Sequence, residues 1–308
     1  MNFDSKYTGQ VDLLLEVLPI INKFDCFALK GGTAINLFIR NMPRLSVDID
    51  LAYLPIEPRK IFLANITMQL TEMKQAIEAL NSRLIVKLSS TKDGQLSKLF
   101  IYRDDNVIKI EPNLVIRGSA FDCEEYDLCQ RAQDQFLKFC RVKTLSFADI
   151  YGGKICAALD RQHPRDLFDV KLLFDNQGLT REVRQALIVY LISSPRPIYE
   201  LLTRNPNLDD FERIFKKEFS GMTDGMNITY QELKDTRHHL IQTILNDLTD
   251  DERQFLMSFK QGEPDWSLVS LANIDKLPAI LWKLENIKKI PQEKKLSYQD
   301  KLKQILGL

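Results

Sequence analysis

Residues 46–54, Ser-Val-Asp-Ile-Asp-Leu-Ala-Tyr-Leu, constrain the fold of this chain more than any other stretch. Apolar Val47, Ile49 and Leu51 alternate there with Asp48 and Asp50. Strict alternation predicts a half-buried strand, with the apolar side chains on one face and both carboxylates on the other. Upstream, Phe27-Ala28-Leu29-Lys30 reads as a short strand ending in a Gly31-Gly32 turn. A helical pattern follows, with Ala34, Leu37 and Phe38 on one face and Thr33 as its expected N-cap.

The same reading extends along the chain. Residues 11–24 form a short amphipathic pattern interrupted at Pro19, and a long helical pattern runs from Arg59 to Leu80. Three strand-like runs come next, over 83–90, 96–104 and 107–115, separated by Lys92-Asp93-Gly94 and Asp104-Asp105-Asn106. Residues 141–146 suit one more short strand. From Phe147 onward the pattern is almost wholly helical. The expected organisation is a mixed α/β domain over 1–146 and an all-α domain over 147–308. With 308 residues, two domains also suit the length.

Composition narrows the function classes. The chain is 44% hydrophobic and 27% charged, which excludes disordered and collagen-like classes. No apolar run approaches the roughly 20 residues of a membrane-spanning helix. The N-terminal stretch carries Asp4 and Asp12 and lacks the layout of a signal peptide, so a cytoplasmic location and no membrane partner are expected. Five cysteines without a Cys-x-x-Cys pair are expected to be reduced thiols, and three histidines give poor support for zinc. With 42 basic against 42 acidic side chains, the molecule as a whole does not attract nucleic acid. Residues 283–303 hold seven lysines against three acids, which suits either a solvated helix face or a phosphate-backbone contact.

The chemistry resides in the acidic strand. Asp48 and Asp50 project from one face, and paired carboxylates repel one another unless a cation lies between them. A hard divalent ion with oxygen ligands, most simply Mg²⁺, meets that demand. Glu111 is the expected third ligand, because Val107, Lys109 and Glu111 share a strand face opposite Ile108 and Ile110. Gly31, Gly32 and Thr33 join a strand to a helix, where bare backbone and free N–H groups can hold phosphate. A phosphate-holding turn followed by a metal-holding strand provides what phosphoryl or nucleotidyl transfer requires.

The segment Ala28-Leu29-Lys30-Gly31-Gly32-Thr33 through Ser46-Val47-Asp48-Ile49-Asp50 resembles the first motif of the AbiEii/AbiGii-type nucleotidyltransferases. These are toxins of type IV toxin–antitoxin and phage-abortive systems. A second block, residues 146–174, resembles the family's later motif at Lys154, Arg161, Arg165, Asp166 and Asp169. The resemblance covers residues 25–175. It implies an α+β fold with a DNA-polymerase-β-like core, a mixed sheet with flanking helices, followed by an all-α C-terminal domain. It also implies Mg²⁺-dependent transfer from an NTP to RNA, notably the 3′ end of tRNA, opposed by a cognate antitoxin. Asp48, Asp50 and Lys154 become the catalytic expectations. Gly31, Gly32, Thr33, Ser46, Lys154 and Asp166 become the nucleotide-binding ones, and Asp48, Asp50 and Glu111 the metal ligands.

Several of these residues admit a second reading. Gly152-Gly153 inside a helix costs about 1 kcal/mol per glycine, which points to close packing or to a ligand near the backbone. Lys154 suits the triphosphate, or is a plain surface lysine. Asp166 follows Pro164 at a helix start, where a carboxylate is favourable without any catalysis. Asp166 and Asp169 share a helix face, as nucleotide contacts or as a buried ion-pair lattice. Phe136, Phe139, Tyr151 and Phe168 are assigned no role, and Cys156 reads as a small buried hydrophobe. The acceptor could also be a protein or a small molecule, and a catalytically decayed nucleotide-binding module is the non-enzymatic alternative.

Overall fold

The computed structural model describes residues 3–203, 208–225 and 228–308, so Met1 and Asn2 of the N-terminal stretch read above lie outside the described residues. The chain divides into two compact units, Met1–Ser146 with Ser220–Met226, and Phe147–Phe219 with Asn227–Leu308. The return of a late segment to the first unit departs from a helical domain continuous over 147–308. Leu45 N–H donates to the Met222 carbonyl at 2.8 Å and Asp4 N–H to that of Gly221 at 3.2 Å. Arg131 pairs with Asp224, so backbone bonds and an ion pair hold residues 221–224 to the first unit.

In the first unit, α1 (Ser5–Ile21) runs unbroken through Pro19 and is capped by Asp4, whose side chain accepts from Lys6 N–H. The expected interruption is absent: the helix continues across the position where one backbone N–H is missing. β1 (Phe27–Lys30) leads into a short helix, α2 (Gly31–Thr33), and a π-helical segment, Ala34–Ile39. β2 (Asp48–Tyr53), α3 (Arg59–Leu80), β3 (Ile85–Ser90), β4 (Leu96–Arg103) and β5 (Asn106–Pro112) follow. β6 (Glu124–Asp127), α4 (Gln130–Phe136) and β7 (Arg141–Thr144) complete the unit. Neither β6 nor α4 has a periodic sequence signal, because both are short.

The seven strands form one mixed sheet in the order β3-β4-β5-β2-β1-β7-β6. β2 pairs antiparallel with β1 and parallel with β5, which places it near the middle. Ile49, Ile110 and Leu99 line up across β2, β5 and β4, and all are fully buried. α1 packs against β5, and α3 against β3 and β4. Phe62, Ile66, Leu70, Met73 and Ile77 of α3 recur at helical spacing and are wholly buried, as one apolar stripe on a sheet requires.

The second unit is helical: α5 (Phe147–Arg161), α6 (Pro164–Asn176), α7 (Arg181–Ser193), α8 (Ile198–Thr203), α9 (Leu208–Glu218), α10 (Tyr230–Asp247), α11 (Asp250–Gln261), α12 (Pro278–Lys288) and α13 (Gln292–Leu306). α5 packs against α6 and α7. A Cβ on Gly152 would fall 2.8 Å from the backbone nitrogen of Leu187, and one on Gly153 would fall 3.0 Å from the Tyr190 ring. Close helix packing therefore accounts for the costly glycine pair. Among the described residues, no helix is long and apolar enough to cross a membrane.

Candidate active site

The two aspartates stand at the start of β2, and the neighbouring strands determine what surrounds them. Asp50 is in register with Lys30 of β1 on one side and Glu111 of β5 on the other. Asp48 is in register with Lys109. Directly opposed residues share a sheet face, so Lys30, Asp48, Asp50, Lys109 and Glu111 form one charged surface. Asp48 and Asp50 are half-buried, while Ile49 between them is fully buried.

The glycine turn lies against this surface. Gly31 has φ +72°, and a Cβ there would lie 2.5 Å from Asp50 Oδ2. Both the left-handed backbone and the close approach demand glycine. A Cβ on Gly32 would meet Arg44 Nη2 at 2.7 Å and Ser46 Oγ at 3.0 Å. Arg44 is only 2% exposed, so a guanidinium lies buried beside the turn.

Thr33 does not cap the helix as expected. The helix already begins at Gly31, and the Thr33 hydroxyl donates instead to the Asp48 carbonyl at 2.5 Å. Its oxygen also lies 3.1 Å from Ser46 Oγ. Thr33 and Ser46 are both buried and link the turn to β2. Asn36 Nδ2 donates to the Gly32 carbonyl at 2.8 Å, fixing the turn from the π-helical side.

Glu111 has partners that the sequence did not show. The sheet brings it beside Asp50, but its two oxygens are engaged by lysines. Lys98 lies 2.9 Å from Oε1 and Lys109 lies 2.7 Å from Oε2. Burial opposes the Glu111 charge, yet Lys109 and Lys98 hold its carboxyl below the ordinary carboxylate range. Burial likewise works against the Lys109 ammonium, but Glu111, Asp48 and Asp50 hold it above the usual lysine value. Among the described residues no three His, Cys, Asp or Glu side chains are grouped to hold a metal ion. The donor set that fits a hard ion is the Asp48–Asp50 pair, two oxygen ligands beside a bare glycine turn.

The structure adds Arg44 and Lys98 to the residues named from the sequence, and it gives Lys30 and Lys109 their neighbours. Lys109 was legible, since it shares a strand face with Glu111. Lys30, Lys98 and Arg44 needed the pairing of distant strands or the packing beneath the turn.

The second block occupies the helical unit. Lys154 on α5 is 7% exposed, so it is not a surface lysine. Its ammonium lies 2.9 Å from Asp166 and 3.1 Å from Asp169 of α6. Arg161 adds a contact to Asp166 at 2.9 Å. Burial would raise the Asp166 carboxyl, but the charges of Lys154 and Arg161 hold it well below the usual range. His163 caps α6 by accepting from Arg165 N–H at 3.2 Å. Tyr151 and Phe168 are fully buried, whereas Phe139 is exposed. Cys156 is buried, and burial pushes its thiol up to about 12. In the lysine-rich C-terminal stretch, Lys283 turns inward and donates to the carbonyls of Ser194, Pro195 and Arg196.

The glycine turn and the aspartate pair thus lie together on one face of the mixed sheet. The fold is shared with MenT4, a nucleotidyltransferase toxin from Mycobacterium tuberculosis H37Rv: the TM-score is 0.63 at 14% sequence identity, over 92% of this chain and 93% of that chain. No match was found among curated protein sequences. The model of the nucleotidyl transferase AbiEii toxin family, type IV toxin–antitoxin system, matches residues 12–286, and the chain belongs to that family. It is thus a nucleotidyltransferase, with an NTP as its substrate and an antitoxin as its partner.

Proposed function

We propose that the protein uses Mg²⁺ to transfer a nucleotide from an NTP to an RNA acceptor, the 3′ end of tRNA, and so arrests growth in the cytoplasm until its cognate antitoxin opposes it. The acceptor hydroxyl attacks the α-phosphorus, a phosphodiester forms, and pyrophosphate leaves. Asp48 and Asp50 would hold the metal, which when bound supplies positive charge to the triphosphate. The single observation that carries this reading is the 2.5 Å between Asp50 Oδ2 and the Cβ position of Gly31. That contact requires glycine at the turn and brings its bare backbone next to a carboxylate that would hold the metal.

The other residues follow from that. Gly31 and Gly32 hold the phosphates through backbone N–H groups. Thr33 and Ser46 act by fixing the turn to β2, since both hydroxyls are buried in that linkage. Arg44 adds positive charge beside Gly32. Lys154 and Asp166 of the second block, paired within the helical unit, are carried in this reading as the nucleotide-binding residues that the family resemblance implies.

Incubation with Mg²⁺, total RNA and each α-labelled NTP in turn, resolved on a denaturing gel, tests the reading. A labelled band at tRNA size that disappears in Asp50→Asn is expected. A labelled protein band would replace the acceptor, and absence of label from every macromolecule would overturn the RNA transfer.

A further inference from the structure

Glu111 occupies the strand position of a third carboxylate, yet both its oxygens already carry an ammonium group. Lys98 and Lys109 approach them at 2.9 and 2.7 Å. These are charge-assisted contacts of good length, one to each oxygen. Lys109 is also the register partner of Asp48, so its charge lies over the aspartate pair as well as over Glu111.

A site for two divalent ions needs carboxylates that bridge or flank both of them, at about 3.5–4 Å separation. One Mg²⁺ needs only one or two carboxylates, with water and substrate phosphates filling its shell. Glu111 cannot serve a second ion without release of two lysines. Until then, two ammonium groups against one carboxylate repel any further divalent cation from that side. Monovalent charge is thereby built into the sheet where a second ion would otherwise bring it.

We infer that this site binds one divalent ion per chain, and that Lys98 and Lys109, held by Glu111, supply the charge a second ion would bring. The inference rests on the reading that Asp48 and Asp50 hold the metal. The lysines are positioning and charge-supplying groups, not metal ligands. They direct the nucleotide's phosphates toward the aspartate end of the row while excluding a second ion.

Mn²⁺ titration of the full chain, with one equivalent of a non-hydrolysable α,β-methylene NTP and free Mn²⁺ read by electron paramagnetic resonance, tests this without measuring activity. One tightly bound Mn²⁺ per chain is expected, rising to two in the double variant Lys98→Gln/Lys109→Gln. Two ions of similar affinity in the unaltered chain would overturn the inference, whether or not any variant folds. A folded double variant still binding one would also overturn it. Asp50→Asn separates the underlying reading: it is expected to lose the tight ion, and retention would overturn the aspartate assignment itself.

Discussion

Two clusters of lysine and carboxylate, one in each unit, differ in their access to water. On the sheet, the side chains of Lys98, Glu111 and Lys109 are 36%, 33% and 27% exposed. In the helical unit, those of Lys154, Asp166 and Asp169 are 7%, 4% and 0% exposed. Similar chemical groups thus make an open charged surface in one place and a sealed lattice in the other. An open pair is screened by solvent and contributes little to stability, so its charges are free to respond to a ligand. A sealed group has given up hydration, and removal of one member leaves the others uncompensated. Substitutions in the open cluster should therefore affect chemistry more than folding, and those in the sealed cluster should affect folding first.

The largest expected effect is on the open side. Asp50→Asn should lower nucleotide transfer on the order of 10³-fold, with thermal stability unchanged; a fall in melting temperature of similar weight would erase the contrast. On the sealed side, Lys154→Met should destabilise the protein by about 3–5 kcal/mol in chemical denaturation. If that variant melted like the parent, the lattice would have no structural role.

The two glycine pairs sharpen the same contrast on a smaller scale. Gly31→Ala forces a side chain into a left-handed backbone, at about 1–2 kcal/mol, and pushes Asp50 aside. Its loss of activity, about 10²-fold for a displacement near 1 Å, should exceed anything its stability explains. Gly152→Ala meets the backbone of α7 and should cost about 1–3 kcal/mol, with residual activity tracking the folded fraction. Parallel measurement of kcat and denaturation midpoint in both variants decides the matter.

The smallest effect is a pH slope. The native Asp166 carboxyl titrates below its unfolded value, so the unfolded chain takes up the proton first as pH falls. Its stabilising contribution is complete above about pH 5 and is lost progressively as the pH falls from there toward the native group's own, lower titration. Between about pH 5 and pH 3, the unaltered protein should lose about 1 kcal/mol more than Asp166→Asn does. Equal losses in both would mean that Asp166 contributes nothing through its charge.

Much of this was legible before any coordinates. Alternation at Asp48, Ile49, Asp50 and Leu51 marked the strand and the face that carries acid. The Gly31-Gly32 pair marked the turn, and the two blocks of motif residues marked the family. The cap was misread because Thr33 had a stronger partner in the Asp48 carbonyl, which local sequence does not reveal. Glu111 was placed on the right face, but its lysine partners change what it can do.

That division has one physical cause. Periodicity reports which side of an element faces the core, because side-chain direction repeats every two residues along a strand. It carries no information about which strand lies alongside, since pairing joins segments far apart in the chain. The sequence alone therefore determined the elements, the acid-bearing face and the glycine turn. Only the tertiary structure decided that Asp50 stands between Lys30 and Glu111, that Lys98 and Lys109 engage that glutamate, and that Lys154 is sealed between two aspartates.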